Sequence, residues 1–529
     1  MALIPLMMRL APNLGMVDYP DARKVHVLPI PRVGGIGIVI GTLIPVLLWL
    51  PLDNSIIAYL AGAVIMLIFG IWDDRGALGH RIKFIGQFIA ALTVVYYGDI
   101  HIATLPFMGL DPLHTSISKP FTVFAIVGMI NALNVSDGLD GLAGGLSILS
   151  LGCIAYLAFQ ADGYSVVIIA VATLGGVLGF LRYNTHPARV FMGDSGSQFL
   201  GFTLGYLAVF LIQKTNPALS PVLPLLFLGL PIIDIFVAMT QRIYFGISPF
   251  VATKHHIHHR LLDIGFDHYE AVVIIYSIQS LLVVSAPLLS YESDGLIFLF
   301  YAAICALGLI FLFLALHYGW QVHKSHSVSG LTRFIQYVKK HKVFTQGPIK
   351  IVQIAVPTFF IAVSVLSHNI PREFGFGSAI LALILVGYLI IDRPKESFLL
   401  RAIAYITSAF AVYLETMYMD RQLFSFETLE ITYFVVLVLA ISLTVRFAAN
   451  MQFKTTPMDF LIIFIVIAAG FISSSQDSKT GVGLIMVKLV ILFYGCELII
   501  AHMKSRWHYL NIGTLVTLII LASKGLLLP

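Results

Sequence analysis

A chain of 529 residues that is 58% hydrophobic and only 11% charged has too little polar surface to be solvated by water, which excludes a soluble globular domain. Its net charge of +5 suits a polyanion, but roughly 25 of the 32 Lys and Arg fall on one set of connections and about six on the other, which is an orientation signal and not a nucleic-acid surface. By the positive-inside rule the richer set is cytoplasmic, with Arg23, Lys24, Arg32, Arg75, Lys83, Arg182, Arg189, Lys254 and Arg260 on it.

Apolar runs of roughly 17–22 residues, enough to cross a hydrocarbon core of about 30 Å as helices, recur from end to end. Spans are predicted near 36–51, 56–72, 84–98, 120–134, 142–160, 164–182, 197–213, 220–241, 270–289 and 295–316, and about seven more fill 351–529. The fold class is therefore all-α, a polytopic integral membrane helical bundle of about 17 transmembrane helices with its catalytic loops on the cytoplasmic side. The opening MALIPLMMRLA is too short to cross a bilayer and lacks a basic n-region and a cleavage site. It reads as the cytoplasmic end of a membrane helix or as a short anchor.

Five polar stretches interrupt these runs. VDYPDARKVHVLPIPRVGGIGI, 17–38, is too rich in Pro to be one helix and carries Lys24 and Arg32; it is either a basic flap over a nucleotide diphosphate or plain positive-inside charge. Asp73 and Asp74 follow a span directly, and adjacent like charges call for a compensating cation unless they are simply solvated. In NALNVSDGLDGLAGG, 131–145, Asn131 opens the loop while Asn134, Asp137 and Asp140 recur every three residues and can converge on one helical face. The glycines there free backbone amides for phosphate. The bidentate Glu of an EF-hand is absent, which counts against calcium.

In RYNTHPARVFMGDSGSQFLG, 182–201, Asp194 sits between glycines as a hard-metal ligand, and Ser195 and Ser197 can cap the following helix. Phe191 offers a stacking face for a base and Asn184 a uracil reader. KHHIHHRLLDIGFDH, 254–268, sets His255, His256, His258 and His259 beside Lys254 and Arg260. This spacing suits donors to a pyrophosphate better than a zinc site. The basic stretch 317–350 either lies on anionic headgroups as a helix or is an ordinary linker. Cys153, Cys305 and Cys496 lie inside apolar spans as small packing groups.

All five stretches lie on one side, and the spans of 36–241 hold almost no ionisable residue. A coupled transporter needs ionisable groups near the bilayer midplane, whereas an enzyme joining a water-soluble to a lipid substrate needs them at the interface. A polytopic lipid or sugar-lipid transporter is the alternative, supported by the extra spans alone.

The five motifs in this order resemble the polyprenyl-phosphate N-acetylhexosamine 1-phosphate transferase superfamily over about residues 1–290. DYPDARKVH with PRVGG, and SPFVATKHHIHHRLLDIGFDH, look like its bacterial undecaprenyl-phosphate N-acetylglucosaminyl 1-phosphate transferase branch; the phospho-N-acetylmuramoyl-pentapeptide transferase branch typically has an uninterrupted His triplet. The resemblance implies a Mg²⁺-dependent reaction, with Mn²⁺ as a substitute, in which a UDP-N-acetylhexosamine and undecaprenyl phosphate give undecaprenyl-diphospho-sugar and UMP. This would be the initiating step of a lipid-linked cell-envelope glycan at the bacterial inner membrane.

It further implies that Asp194 holds the metal with Asp74, and that Asp73 and Asp74 stand beside the lipid phosphate. Asn131, Asn134, Asp137, Asp140, Asn184, Phe191, Lys24 and Arg32 would bind the nucleotide sugar, while Lys83, His256, His258 and His259 neutralise phosphate charge. The family's D-D-x-x-K is broken, with Ala77 where Lys is usual. The expected organisation is a transferase domain over 1–316, a basic linker over 317–350 and an accessory membrane region over 351–529. Membrane lipids are the expected surroundings, a homodimer the candidate assembly.

Overall fold

The computed structural model describes residues 3–20, 28–76, 78–107, 112–246, 248, 256–322, 342–390, 398–418, 426–447, 482–501 and 508–527. They form two compact units, one of the residues up to 322 and one of those from 342 onward. Lys24, Lys254, His255, Ala77, most of the 317–350 stretch and residues 448–481 lie outside the described residues.

In the first unit α1 (Leu3–Leu14) leads into a minimal antiparallel ladder, β1 (Val17–Asp18) with β2 (Ile30–Pro31), in the register Val17 to Pro31. There follow α2 (Gly34–Trp49), α3 (Asn54–Gly76), α4 (His80–Leu92), α5 (Thr115–Ser136), α6 (Leu142–Gln160), α7 (Tyr164–Asn184) and α8 (Asp194–Phe210). Next come α9 (Pro224–Phe227), α10 (Gly229–Tyr244), α11 (Ile257–Asp263), α12 (His268–Leu288) and α13 (Asp294–His317). Helices α4 and α8 each run on through a π-helical turn, Thr93–Tyr97 and Leu211–Thr215.

Among the described residues of both units, eleven helices are long and apolar enough to cross a membrane. The chain is thus an all-α, multi-pass membrane protein. The predicted span at 220–241 needs correction, because it is broken at Leu228 between α9 and α10. Pro231 is the cause: it has no N–H to give the carbonyl four residues back. That carbonyl, of Phe227, instead accepts from Ser150 Oγ at 2.5 Å and Gln279 Nε2 at 2.8 Å.

Helix α8 is the axis of this unit, with 94% of its apolar window buried. Helix association in lipid rests on close packing, and glycine lets backbones touch. A Cβ on Gly35 of α2 would lie 2.2 Å from the Gly196 nitrogen, one on Gly70 of α3 2.2 Å from Ser195 Cα, and one on Gly201 of α8 2.6 Å from Ile130 Cα of α5. Further along, Tyr206 donates its hydroxyl to the Ser55 carbonyl at 3.1 Å and stacks on Tyr59 at 5.0 Å. At the far end Gln213 Oε1 accepts the amides of Ala103 and Thr104. Both ends of α8 are thereby clamped.

The second unit contains α14 (Lys342–Leu366), α15 (Arg372–Ile390), α16 (Phe398–Tyr418), α17 (Phe426–Phe447), α18 (Val482–Ala501) and α19 (Tyr509–Leu527). Its core gathers Val356, Phe360, Leu385, Val412, Leu414, Leu492 and Leu518. Helices α15 and α19 meet through Gly375 and Gly525, where an added Cβ on Gly375 would lie 2.9 Å from the Gly525 carbonyl carbon.

Because Gly70 abuts backbone and not a flexible side chain, Gly70→Ala should force α3 off α8 at a cost of about 1–3 kcal/mol and lower the unfolding temperature in detergent. Gly128→Ala on α5, where nothing lies within 4 Å, should leave it unchanged. Equal effects from the two substitutions would contradict this packing.

Candidate active site

The ends of α3, α4, α5 and α8 converge on one acidic pocket. Helix α8 begins at Asp194 directly after Gly193, whose φ of +73° suits glycine and whose missing Cβ makes room for the Asp74 carboxylate at 2.6 Å. Asp74 then accepts the Asp194 amide at 2.8 Å on Oδ1 and the Ser195 amide at 3.1 Å on Oδ2. Sequence reasoning gave the cap to Ser195 and Ser197, but the first α8 amides are capped by a carboxylate from α3, where the positive end of the helix dipole favours an anion.

Asp73 is buried and takes the Leu78 amide at 2.5 Å. Lys83 bridges it to Asp194, 2.6 Å from Asp73 Oδ2 and 3.1 Å from Asp194 Oδ2. On the other side Asn134 Nδ2 donates to Asp194 Oδ1 at 2.5 Å and to Ser197 Oγ at 2.8 Å. Asn131 stands one turn earlier and exchanges hydrogen bonds with Gln87, which also reaches Gln198 at 3.2 Å. Gln87 and Gln198 went unremarked in the sequence, because a lone glutamine inside an apolar run has no partner visible at sequence range.

The regular spacing of Asn134, Asp137 and Asp140 suggested one helical face; the structure corrects this. Helix α5 ends at Ser136, and Gly141 adopts φ +82°, so the three side chains part. Asn134 meets Asp194, whereas Asp140 Oδ2 lies 2.7 Å from His186 Nδ1 and accepts the Ala188 amide at 3.1 Å. Asp137 lies between them; burial pushes its carboxyl up to about 7, with repulsion from Asp194, Asp140 and Asp74 adding to it.

His186 stacks on His268 at 4.1 Å, and His268 Nε2 lies 3.3 Å from the Asp140 carbonyl. Neither His186 nor His268 was singled out in sequence, although both lie in the motifs. Asn184, expected to read a base, is buried and fully engaged: its Oδ1 accepts the Gly141 amide at 2.8 Å and its Nδ2 donates to the Val190 carbonyl at 2.9 Å. It ties the two glycine-rich loops together with one hydrogen bond at each end of its amide.

Phe191 is partly exposed, and its backbone fixes the flap's stem: its N–H donates to the Pro31 carbonyl at 2.8 Å, and its carbonyl accepts Gly34 N–H at 3.0 Å. Arg32 is paired with Asp18 at 2.6 Å.

The histidine loop also differs from expectation. His256 is buried, with Nδ1 2.9 Å from Asp234 Oδ2 and Nε2 3.4 Å from Arg242, and Asp234 Oδ1 caps α11 through the Ile257 amide at 2.7 Å. Asp234 lies inside the predicted span 220–241 and Arg242 directly after it, where neither stands out in the sequence. His258 packs on Gly138, where an added Cβ would lie 2.2 Å from its Nε2. Burial, with His259 and His256 adding repulsion against the pull of Asp234, lowers its imidazole to about 4. Burial thus favours the neutral imidazole of His258 in this fold. His259 lies beside it, ring centres 4.3 Å apart.

Similarity to known proteins bears on this geometry. The family model described as glycosyl transferase family 4 matches residues 56–212. The chain is similar to the "Probable undecaprenyl-phosphate N-acetylglucosaminyl 1-phosphate transferase" of Bacillus subtilis (strain 168), 36% identical over 287 residues, covering 54% of this chain and 80% of that protein. It is also similar to the "Undecaprenyl-phosphate alpha-N-acetylglucosaminyl 1-phosphate transferase" of Escherichia coli (strain K12), 31% identical over 346 residues, covering 63% of this chain and 89% of the relative. The "Decaprenyl-phosphate N-acetylglucosaminephosphotransferase" of Mycobacterium tuberculosis (strain ATCC 25618 / H37Rv) is 36% identical over 299 residues, covering 50% and 74%.

The lowered imidazole of His258 has a consequence for stability. Between about pH 4 and the ordinary 6.5 the unfolded chain takes up a proton here and the folded one does not, so stability rises with pH across that window and is lost as pH falls through it. His258→Gln should flatten the slope of unfolding temperature against pH between about 5 and 7. An unaltered slope would show that His258 does not stay neutral in the fold.

Proposed function

The chain belongs to glycosyl transferase family 4, and from this we propose that its first unit transfers N-acetylglucosamine 1-phosphate from UDP-N-acetylglucosamine to undecaprenyl phosphate. The products are undecaprenyl-diphospho-N-acetylglucosamine and UMP. The observation that carries the reading is the pocket itself: at converging helix ends Asp73 and Asp194 flank the ammonium of Lys83, while Asn134 and Asp74 hold Asp194 by its side chain and its amide. Such a pocket meets a water-soluble nucleotide from one side and a lipid phosphate from the other.

Three carboxylates against one ammonium leave surplus negative charge where two anionic substrates must approach. Carboxylate oxygens are hard donors that fit Mg²⁺, and Asp194 with Asp74 would hold it. Bound there, the ion would supply charge stabilisation to the departing UMP. Asp74 fixes Asp194 by capping its helix.

An oxygen of the lipid phosphate forms the new bond to the β-phosphorus of the donor, and the bond from that phosphorus to the bridging oxygen breaks, with its electron pair leaving on UMP. A phosphate monoester with a second pKa of about 6 is already largely a dianion at neutral pH, so no residue must remove a proton. Lys83 lies between Asp73 and Asp194, where it orients a phosphate oxygen. Phe191 and the 138–141 loop border the nucleoside, with Asn184 as the strut that shapes them. The active site faces the cytoplasm of a bacterial inner membrane, where the basic loops lie.

Asp194→Asn removes a charge at nearly constant shape. Membranes bearing it should transfer less than about a tenth of the wild-type label from radiolabelled UDP-N-acetylglucosamine to the lipid fraction at saturating Mg²⁺. Wild-type transfer that survives complete chelation of divalent ions would remove the metal from this reading. No labelled lipid from any UDP-N-acetylhexosamine would remove the transferase.

The acidic pocket is built within the first unit, so a chain ending near residue 322 should keep measurable transferase activity. A truncated protein that is monodisperse by gel filtration yet inactive would assign part of the site to later residues.

A further inference from the structure

The second unit holds ions within its helices. On α16 the side chains of Arg401, Tyr405, Ser408 and Glu415 recur at i, i+4, i+7 and i+14 and share one face, which meets α18. At one end of this seam Arg401 Nε donates to Glu497 Oε1 at 2.8 Å, and the Tyr405 hydroxyl donates to the same oxygen. In between, Ser408 Oγ lies 3.8 Å from Cys496 Sγ. At the other end Lys488 lies 2.6 Å from Glu415 Oε2 and also pairs with Glu430 of α17, with its ammonium 6.0 Å from the centre of the Phe434 ring.

The two ends differ in charge balance. Arg401 and Glu497 are one cation and one anion, whereas Lys488 stands against two carboxylates. Glu415 and Lys488 are each 2% exposed. Glu415 belongs to the apolar span Leu399–Tyr418 and Glu430 to the apolar helix Leu429–Thr444. Helices α14, α16 and α17 pack on α18. Among the described residues, α16 brings Glu415 to Lys488 and α17 brings Glu430. Tyr433 of α17 is turned to the Ala355 carbonyl, and Lys350 of α14 is exposed. An uncompensated anion inside a membrane bundle is costly and marks a functional site by default.

We propose that Glu415, Glu430 and Lys488 form a proton-binding site, which makes the second unit more than a passive anchor. A hydronium ion gives one proton to the surplus carboxylate, its own O–H bond breaking to leave water as the new carboxyl O–H forms; release to water restores the anion. Lys488 stays charged and holds the second carboxylate. A metal cation is disfavoured because the ammonium already fills the space between the carboxylates, while a proton needs no room. This site is separate from the transferase pocket in chemistry and in residues.

A hydrophobic carbodiimide, which attacks protonated carboxyl groups, tests this on the full chain in liposomes. A water-exposed Glu with a pKa of about 4.3 is almost wholly ionised near neutral pH, so the exposed Glu373 is an internal reference. Labelling at Glu415 or Glu430 should exceed that at Glu373 by about tenfold near pH 6 and fall toward pH 9, and Lys488→Met should label both glutamates. Infrared spectroscopy should show a protonated-carboxyl C=O band that Glu415→Gln/Glu430→Gln removes, a readout that needs no reagent access. Absence of both the labelling and the band near pH 6 would overturn the proposal, as would protection from labelling by sodium ions.

Discussion

The Asp74 carboxylate at the head of α8 is the interaction on which the first unit's chemistry depends. It satisfies two amides that would otherwise be orphaned at a buried helix start, and in doing so it fixes the end of α3, which carries Asp73, to the start of α8, which carries Asp194. Gly193 and Gly70 are the conditions for it, since a side chain at either would push the two helices apart. The capping bond and the backbone contact lie within a few residues of each other.

Electrostatics separates the two units. In the first, the clustered acids sit at helix ends, where water and substrates can share their charge. In the second, Glu415 and Lys488 are withdrawn into the helices, and each carboxylate must find its partner within the bundle. Burial of paired ions contributes little net stability compared with apolar packing, so a cluster with an odd charge is poorly explained as a fastening.

Sequence alone revealed the all-helical membrane architecture because lipid demands long apolar runs and internal backbone hydrogen bonding. It also pointed to loops that the structure brings together at the acidic pocket, since Asp and Asn between such runs have few structural uses. Partnerships were not legible. That Asp74 caps a helix 120 residues away, that Asn184 bonds to Gly141 and Val190, and that burial lowers the His258 imidazole all follow from contact, which spacing does not encode. The periodic Asn134, Asp137 and Asp140 misled because three-residue spacing implies a common face only while the helix continues, and it stops at Ser136. The ions of the second unit escaped notice for the opposite reason. Single charges scattered through apolar runs look like isolated exceptions until α16, α17 and α18 bring them together.

The contact of Gly70 with Ser195 has a mechanical consequence. Helices that touch backbone to backbone cannot slide or rock without breaking many contacts at once, so the acidic pocket moves as a rigid block. His258 and His259 lie outside that block, on the separate seven-residue helix α11.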